Sequence, residues 1–321
     1  NSRTVTITGA TDVDGTLIIS SGTYNADGAS DIDGTLSITG TGVYDADNTF
    51  TAASGNVTFT GAGFLRCNNT VTDLGTLSTG AGTVEYDGGA QDVFADDYYN
   101  LEIDQAGTKT AQGAVNVNGT MTVQSTGTPV YDVAATTTTV TGTSTIAGTL
   151  NINGSGVYDG NGDFAASGAI TMSGTARLQL SAANSGVSSL GNLTSSAGTV
   201  EYDGGTQNVL ADVYNNLEID QAGTKTAQGA VTVNGTMTVQ STGTPVYDVA
   251  ATTTTVTGTS TIAGTLNING SGVYDGNGDF AASGAITMDG TARLQLSAAG
   301  SGVSNLGTLD NAAGTVEYDG G

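Results

Sequence analysis

The sequence predicts an all-β fold, a parallel β-helix (β-solenoid) built of coils of about 22–25 residues. Three observations carry that prediction. The first is a superrepeat: Val-Glu-Tyr-Asp-Gly-Gly stands at 84–89, 200–205 and 316–321, and the intervals 200 − 84 and 316 − 200 are both 116 residues. Aligned on that interval, 84–199 and 200–315 differ at thirteen positions, among them Phe94/Leu210, Asp97/Val213, Tyr99/Asn215, Asn116/Thr232 and Thr194/Asp310. The second is a finer beat of small-Gly-Thr corners at Asn118-Gly119-Thr120, Ala147-Gly148-Thr149, Ser173-Gly174-Thr175 and Ala197-Gly198-Thr199. The third is composition, with 50 Gly, 2 Pro and no Trp, and with two-residue alternation in place of any helical period.

Taken along the chain, residues 1–83 read as a diverged partial copy. Leu36 matches Leu150 and Tyr44 matches Tyr158 at an offset of 114, while Leu74 matches Leu190 at 116. Residues 84–199 and 200–315 are two full copies, and 316–321 opens a further one. Within a copy, runs such as Val115-Asn116-Val117-Asn118 and Leu150-Asn151-Ile152-Asn153 alternate like half-buried strands. Val115, Val117, Ile152, Ile170, Met172 and Leu178 are the expected inward columns, and Thr, Asn and Ser face outward. Val84 and Tyr86 are expected on one side of their strand and Glu85 on the other, with Asp87-Gly88-Gly89 turning the corner. Tandem β-sandwich beads, one per copy, are the alternative fold. Near-periodic corners have no reason to exist in a sandwich, whose strands are not equivalent. No capping segment is legible at either end, so the chain reads as a window on a longer fibre.

Formal charge is −24, with Arg3, Arg66, Arg177, Arg293, Lys109 and Lys225 against thirty acids. Nucleic-acid binding needs clustered cations and is not expected, and anionic lipid is an unfavourable partner. No apolar run approaches the roughly 18 residues of a membrane span, and no signal peptide is legible. Cys67 is the single cysteine, so no internal disulfide forms; it aligns with Leu180 and Leu296, where a buried hydrophobe belongs. Lys109 and Lys225, in identical Gly-Thr-Lys-Thr contexts, are expected on the surface near Glu102 and Glu218.

The sequence holds no histidine, so triad and Cys-His catalysis are out of reach, and its acids recur with the period instead of gathering in one groove. No enzyme activity and no required cofactor are expected. The candidate ligand site is a calcium loop: Asp159, Asn161 and Asp163, repeated as Asp275, Asn277 and Asp279, match the first three ligand positions of such a loop. The match stops there, since Phe164 stands where the turn glycine belongs and Ile170 where the bidentate Glu belongs. A polar corner of Asx-turns is the competing reading. The Tyr-Asp pairs at Tyr44, Tyr86, Tyr131, Tyr158, Tyr202, Tyr247, Tyr274 and Tyr318 admit two readings. Either the rings pack on neighbouring strands with their hydroxyls toward solvent, or they form exposed columns that bind glycan or a sister fibre.

The run Val84-Glu85-Tyr86, Tyr99-Asn100-Leu101-Glu102-Ile103, Gly107-Thr108-Lys109-Thr110 and Val115-Asn116-Val117-Asn118-Gly119-Thr120-Met121-Thr122-Val123 resembles repeats of large secreted bacterial surface proteins, the filamentous-haemagglutinin-like β-helical adhesins. The likeness is one of repeat texture over nearly the whole chain. It implies a parallel β-helix, export to the cell surface and a structural or adhesive role, and it transfers no catalytic residue. The expected function is therefore an extracellular structural shaft that forms or extends a filament, stalk or fibre. The alternative is the shaft of an adhesin that binds a glycan or a host or neighbouring cell surface. Expected partners are further copies, stacked end to end or continuing in a longer chain.

Overall fold

The computed structural model describes residues 3–78, 80–299 and 302–320. Every regular element among them is a β-strand, and every named strand pairing is parallel, as in stacked coils of a β-solenoid. Sandwich beads are thereby excluded, because their hairpins are antiparallel. The chain divides into two compact units, Asn1–Tyr158 with Ala166–Ala169, and Asp159–Ala165 with Ile170–Gly321.

Each coil has three sides. In the second unit one coil is Thr199–Tyr202, Gln207–Val209 and Val213–Tyr214, and the next is Asn216–Ile219, Gly223–Ala227 and Val231–Val233. Rungs are separated by as few as 17 residues, Thr83 beneath Asn100, and as many as 24, Ala281 beneath Asn305. These coils are shorter than the sequence reading expected, and the cause lies in how the copy divides. From Thr199–Tyr202 onward the chain makes five full coils and two sides of a sixth before Thr315–Tyr318, the equivalent strand, is reached. Thr199–Tyr202 lies on the ladder that runs through Asn216–Ile219, Met237–Val239 and Ser260–Ile262 to Phe280–Met288. Thr315–Tyr318 instead pairs with Arg293–Leu296, on the ladder of Thr253–Val256 and Val273–Gly276. The copy 200–315 is not a whole number of coils, and the strand that follows it lies on a different side of the solenoid from the strand that opens it.

Alternation does the folding work. In Asn100–Ile103, Leu101 and Ile103 are 0 % exposed while Asn100 and Glu102 point outward, and the same pattern holds at Arg177–Leu180. Val115, Val117, Ile152, Ile170, Met172 and Leu178 are all buried, as alternation required, and Cys67 is buried over the same rung as Leu180. Burial pushes the Cys67 thiol pKa up. Two glycines show what the corners demand. A Cβ on Gly142 would lie 2.0 Å from the Gly119 carbonyl of the coil below, and Gly82 has φ +80 with the Phe59 ring 2.2 Å from where its Cβ would be.

Candidate functional site at the copy junctions

The ladders are not all continuous. In the first unit, one side runs unbroken through Thr4–Ile7, Thr23–Ala26, Val43–Ala46, Phe64–Cys67, Thr83–Tyr86 and Asn100–Ile103. The other two sides break where the full copy begins. Val71–Asp73 ends one ladder and Gln91–Val93 starts the next, and likewise for Thr76–Leu77 and Asp97–Tyr98. In the second unit Thr199–Tyr202 is again paired on both edges, to Arg177–Leu180 and to Asn216–Ile219, while Gln207–Val209 and Val213–Tyr214 begin new ladders. A new copy therefore takes its register from one ladder, and the rung that carries it is the Val-Glu-Tyr strand.

That rung is fixed by charge. Glu85 is 6 % exposed and Glu201 4 %. Glu85 Oε2 accepts Arg66 Nε at 2.7 Å, directly from the rung below. Glu201 Oε2 accepts Arg177 Nη2 at 2.5 Å and Gln179 Nε2 at 2.8 Å, and the same Nη2 reaches Glu218 Oε2 of the next rung at 2.9 Å. Arg293 and Gln295 repeat the arrangement on Glu317. Three of the four arginines thus serve one repeated glutamate. Burial pushes the Glu85 carboxyl up to about 7 against the pull of Arg66, and pushes Asp87 up to about 6, with Asp45 adding to the rise.

Behind the charge lies a polar staple. Gln91 Oε1 accepts the Gly88 N–H at 2.8 Å, and its Nε2 donates to the Cys67 carbonyl at 2.7 Å and the Asn69 carbonyl at 2.6 Å. Gln207 does the same with Gly204, Leu180 and Ala182. The tyrosine of the motif closes the interior: the Tyr86 and Tyr98 hydroxyls are 3.0 Å apart, Tyr86 Oη accepts the Phe94 N–H, and Tyr98 Oη donates to the Phe94 carbonyl. Tyr202, Tyr214 and Leu210 repeat this cluster, and burial holds the Tyr202 phenol up at about 12.

Two surface expectations are overturned. Of the eight, Tyr318 on the last strand is 61 % exposed, whereas Tyr44, Tyr86, Tyr131, Tyr158, Tyr202, Tyr247 and Tyr274 are all 0 % exposed, and the hydroxyls of these seven bond inward, among them Tyr44 to Ser30, Tyr131 to Thr138 and Tyr158 to Ser144. These seven are inward residues of alternating strands, so neither solvent nor glycan meets them. Lys109 and Lys225 are also 0 % exposed, because each falls on the inward phase of its strand between outward threonines. Their stems lie in the interior and the ammonium groups return to the corner, Lys109 Nζ donating to Gln105 O at 2.8 Å and Lys225 Nζ to Gln221 O at 2.8 Å. Burial lowers both, Lys225 to about 8, opposed by Asp203 and Asp220.

The calcium candidates lie on the corner after Val157–Gly160 and, in the second copy, after Val273–Gly276. Asp159 and Asp275 are half-buried on their strands, while Asn161, Asp163, Asn277 and Asp279 are exposed. Burial raises the Asp159 carboxyl, opposed by its hydrogen bond with Asn161. Asn277 Nδ2 turns back to Asp275 Oδ2 at 3.3 Å, and Asp279 lines a separate hollow with Thr259, Ala281, Ala299, Gly302 and Ser304, in which it is the one carboxylate. Among the described residues no three His, Cys, Asp or Glu side chains gather as a metal site. Among the described residues no helix is long and apolar enough to cross a membrane.

The junction residues that the sequence reading missed are Gln91, Gln207, Tyr98 and Tyr214. A signal existed: Gln91 and Gln207 stay identical between flanking positions that vary, Ala90/Thr206 and Asp92/Asn208. No family model, no curated protein and no solved structure matches the chain.

Proposed function

We propose that the chain is the shaft of an extracellular structural protein, a β-helical element of a filament, stalk or fibre, with a mechanical and not a catalytic role. One observation carries the reading. The first strand of each full copy is an interior rung, hydrogen-bonded on both edges and charge-clamped to the coil before it. A copy built this way has no boundary of its own, so copies extend a shaft instead of forming beads. Main-chain hydrogen bonds between coils supply axial stiffness, and the formal charge of −24 opposes lateral clumping. Resemblance to β-helical surface adhesins supports the extracellular assignment. The adhesin alternative has lost its tyrosine surface, and any glycan would have to be held by outward Asp, Asn and Thr.

Electron microscopy of the purified protein tests the reading. At about 4.8 Å per coil, a copy of five and two-thirds coils rises about 27 Å. Long filaments with that axial repeat are the expected result. Short isolated rods ending in a globular head would favour the adhesin. The proposed role assigns no work to calcium at Asp159, Asn161 and Asp163 or at Asp275, Asn277 and Asp279.

A further inference from the structure

At the two junctions the same strand edge is treated differently. In the second unit the corner before the junction is Ser181-Ala182-Ala183-Asn184-Ser185-Gly186, and Asn184, with φ 57, rises from it to bridge Gln207. The Asn184 N–H donates to Thr206 O at 2.5 Å, and its carbonyl accepts the Asn208 N–H at 3.0 Å. In the first unit the matching corner is only Asn68-Asn69-Thr70. It delivers no residue to the edge, so Ala90 C=O and Asp92 N–H, the counterparts of the Thr206 and Asn208 groups, have no such partner among the described residues. What is left is a polar groove of about 450 Å³ whose lining includes Asn69, Thr70, Ala90, Asp92, Thr108 and Thr110. Gln91 is held by its staple and does not enter it.

We propose that this groove is a docking site for a segment of a partner polypeptide, a small-residue turn with Asn or Gly at its tip. The tip residue bonds to Ala90 C=O and Asp92 N–H as Asn184 bonds to Thr206 and Asn208. The occupant is read from the sister site, where Ala182 to Gly186 fills the same edge from within the chain. Size and chemistry agree. The missing corner residues are small and uncharged, the tip adopts a left-handed conformation that Asn and Gly tolerate, and the groove offers one acceptor and one donor spaced for a single residue. Nothing in this inference depends on the fibre role, and it predicts a lateral contact on the side of the solenoid.

The test is amide hydrogen exchange on the full chain, with a disulfide-closed peptide carrying Ser-Ala-Ala-Asn-Ser-Gly-Val as the probe. The peptide is expected to shift the Ala90, Gln91 and Asp92 resonances saturably and to slow Asp92 exchange about tenfold or more. A peptide with Pro in place of Asn lacks the donor and is expected to do neither. Replacing Asn68-Asn69-Thr70 by the six residues of the 181–186 corner is expected to protect Asp92 in cis and to abolish the peptide effect. If the probe leaves Asp92 exchange unchanged up to about 10 mM, a range in which even weak docking registers, the proposal fails, whether or not the replaced corner protects the amide.

Discussion

The two junctions solve one problem with different parts. Before the first, Arg66 stands directly beneath Glu85 and neutralises that carboxylate alone. Before the second, Gln179 holds the position beneath Glu201, and Arg177, two residues earlier, reaches both Glu201 and Glu218. The corners differ as well, open at Asn68-Asn69-Thr70 and self-filled at 181–186. What is kept is a glutamate on the one continuous ladder, an arginine from the coil below, and the Gln91 or Gln207 staple. Where two of three ladders are interrupted, register has to be specified by side chains, and a partly buried ion pair penalises the slipped alternatives because each would strand a charge.

The largest effect is expected from the arginines. Arg177→Ala strands two carboxylates and should cost about 3 kcal/mol locally; Arg66→Ala strands one and should cost about 2, both held down by partial solvent exposure of the guanidinium. Exchange of the Glu201 and Glu85 strand amides is the measurement, because a repeat array need not unfold in one step. Equal losses at the two junctions would remove the distinction. Next come Gln207→Ala and Gln91→Ala, each removing the side-chain partner of one buried N–H, Gly204 or Gly88, and of the Ala182 or Asn69 carbonyl, while the Leu180 and Cys67 carbonyls keep the Asp203 and Asp87 N–H, for about 1.5 kcal/mol.

Acidity should act on the first junction next. The Glu85 carboxyl, held at about 7, and the Asp87 carboxyl, at about 6, lie above their unfolded values near 4. The folded state binds the extra protons, so stability should fall as pH rises from about 4 through 7, and the chain should melt higher at pH 5 than at pH 8. Lys225, lowered to about 8, works in the opposite sense at alkaline pH. Its unfolded form holds the proton longer, so this group makes stability rise between about pH 8 and 10, and Lys225→Met should reduce that slope, Lys109, lowered by the same burial, retaining its own share. The smallest effect is expected from chelation. EDTA should leave the melting temperature unchanged, and a drop restored by calcium would return the Asp159, Asn161 and Asp163 corner to the site.

Much of this was legible beforehand. Alternation marks Leu101, Ile103, Leu178 and Leu180 as inward, and a single coil position for Cys67, Leu180 and Leu296 follows from alignment alone. The same alternation places Lys109 inside, but residue type argued for the surface, and only the corner carbonyls of Gln105 and Ala106 explain why an ammonium tolerates the interior. The tyrosines misled for a related reason: their partners Ser30, Thr138 and Ser144 lie one side away, at separations no periodicity reveals. Coil length is obscured because 116 residues invite division by a whole number, whereas the copy ends one side short of six coils. The long strands Phe280–Met288 and Val303–Asn311, each serving two sides, hide the missing third.

Displacement of the copy by one side of the solenoid is best tested by cysteine crosslinking in a Cys67→Leu background. Glu317 stands over Gln295, whereas the ladder carrying Glu201 and Glu218 ends at Asn305. The pair Gln295→Cys with Glu317→Cys should form a disulfide readily, and Asn305→Cys with Glu317→Cys should not. Crosslinking of 305 to 317 with none between 295 and 317 would mean that the copy is a whole number of coils and that the junction described above is wrong.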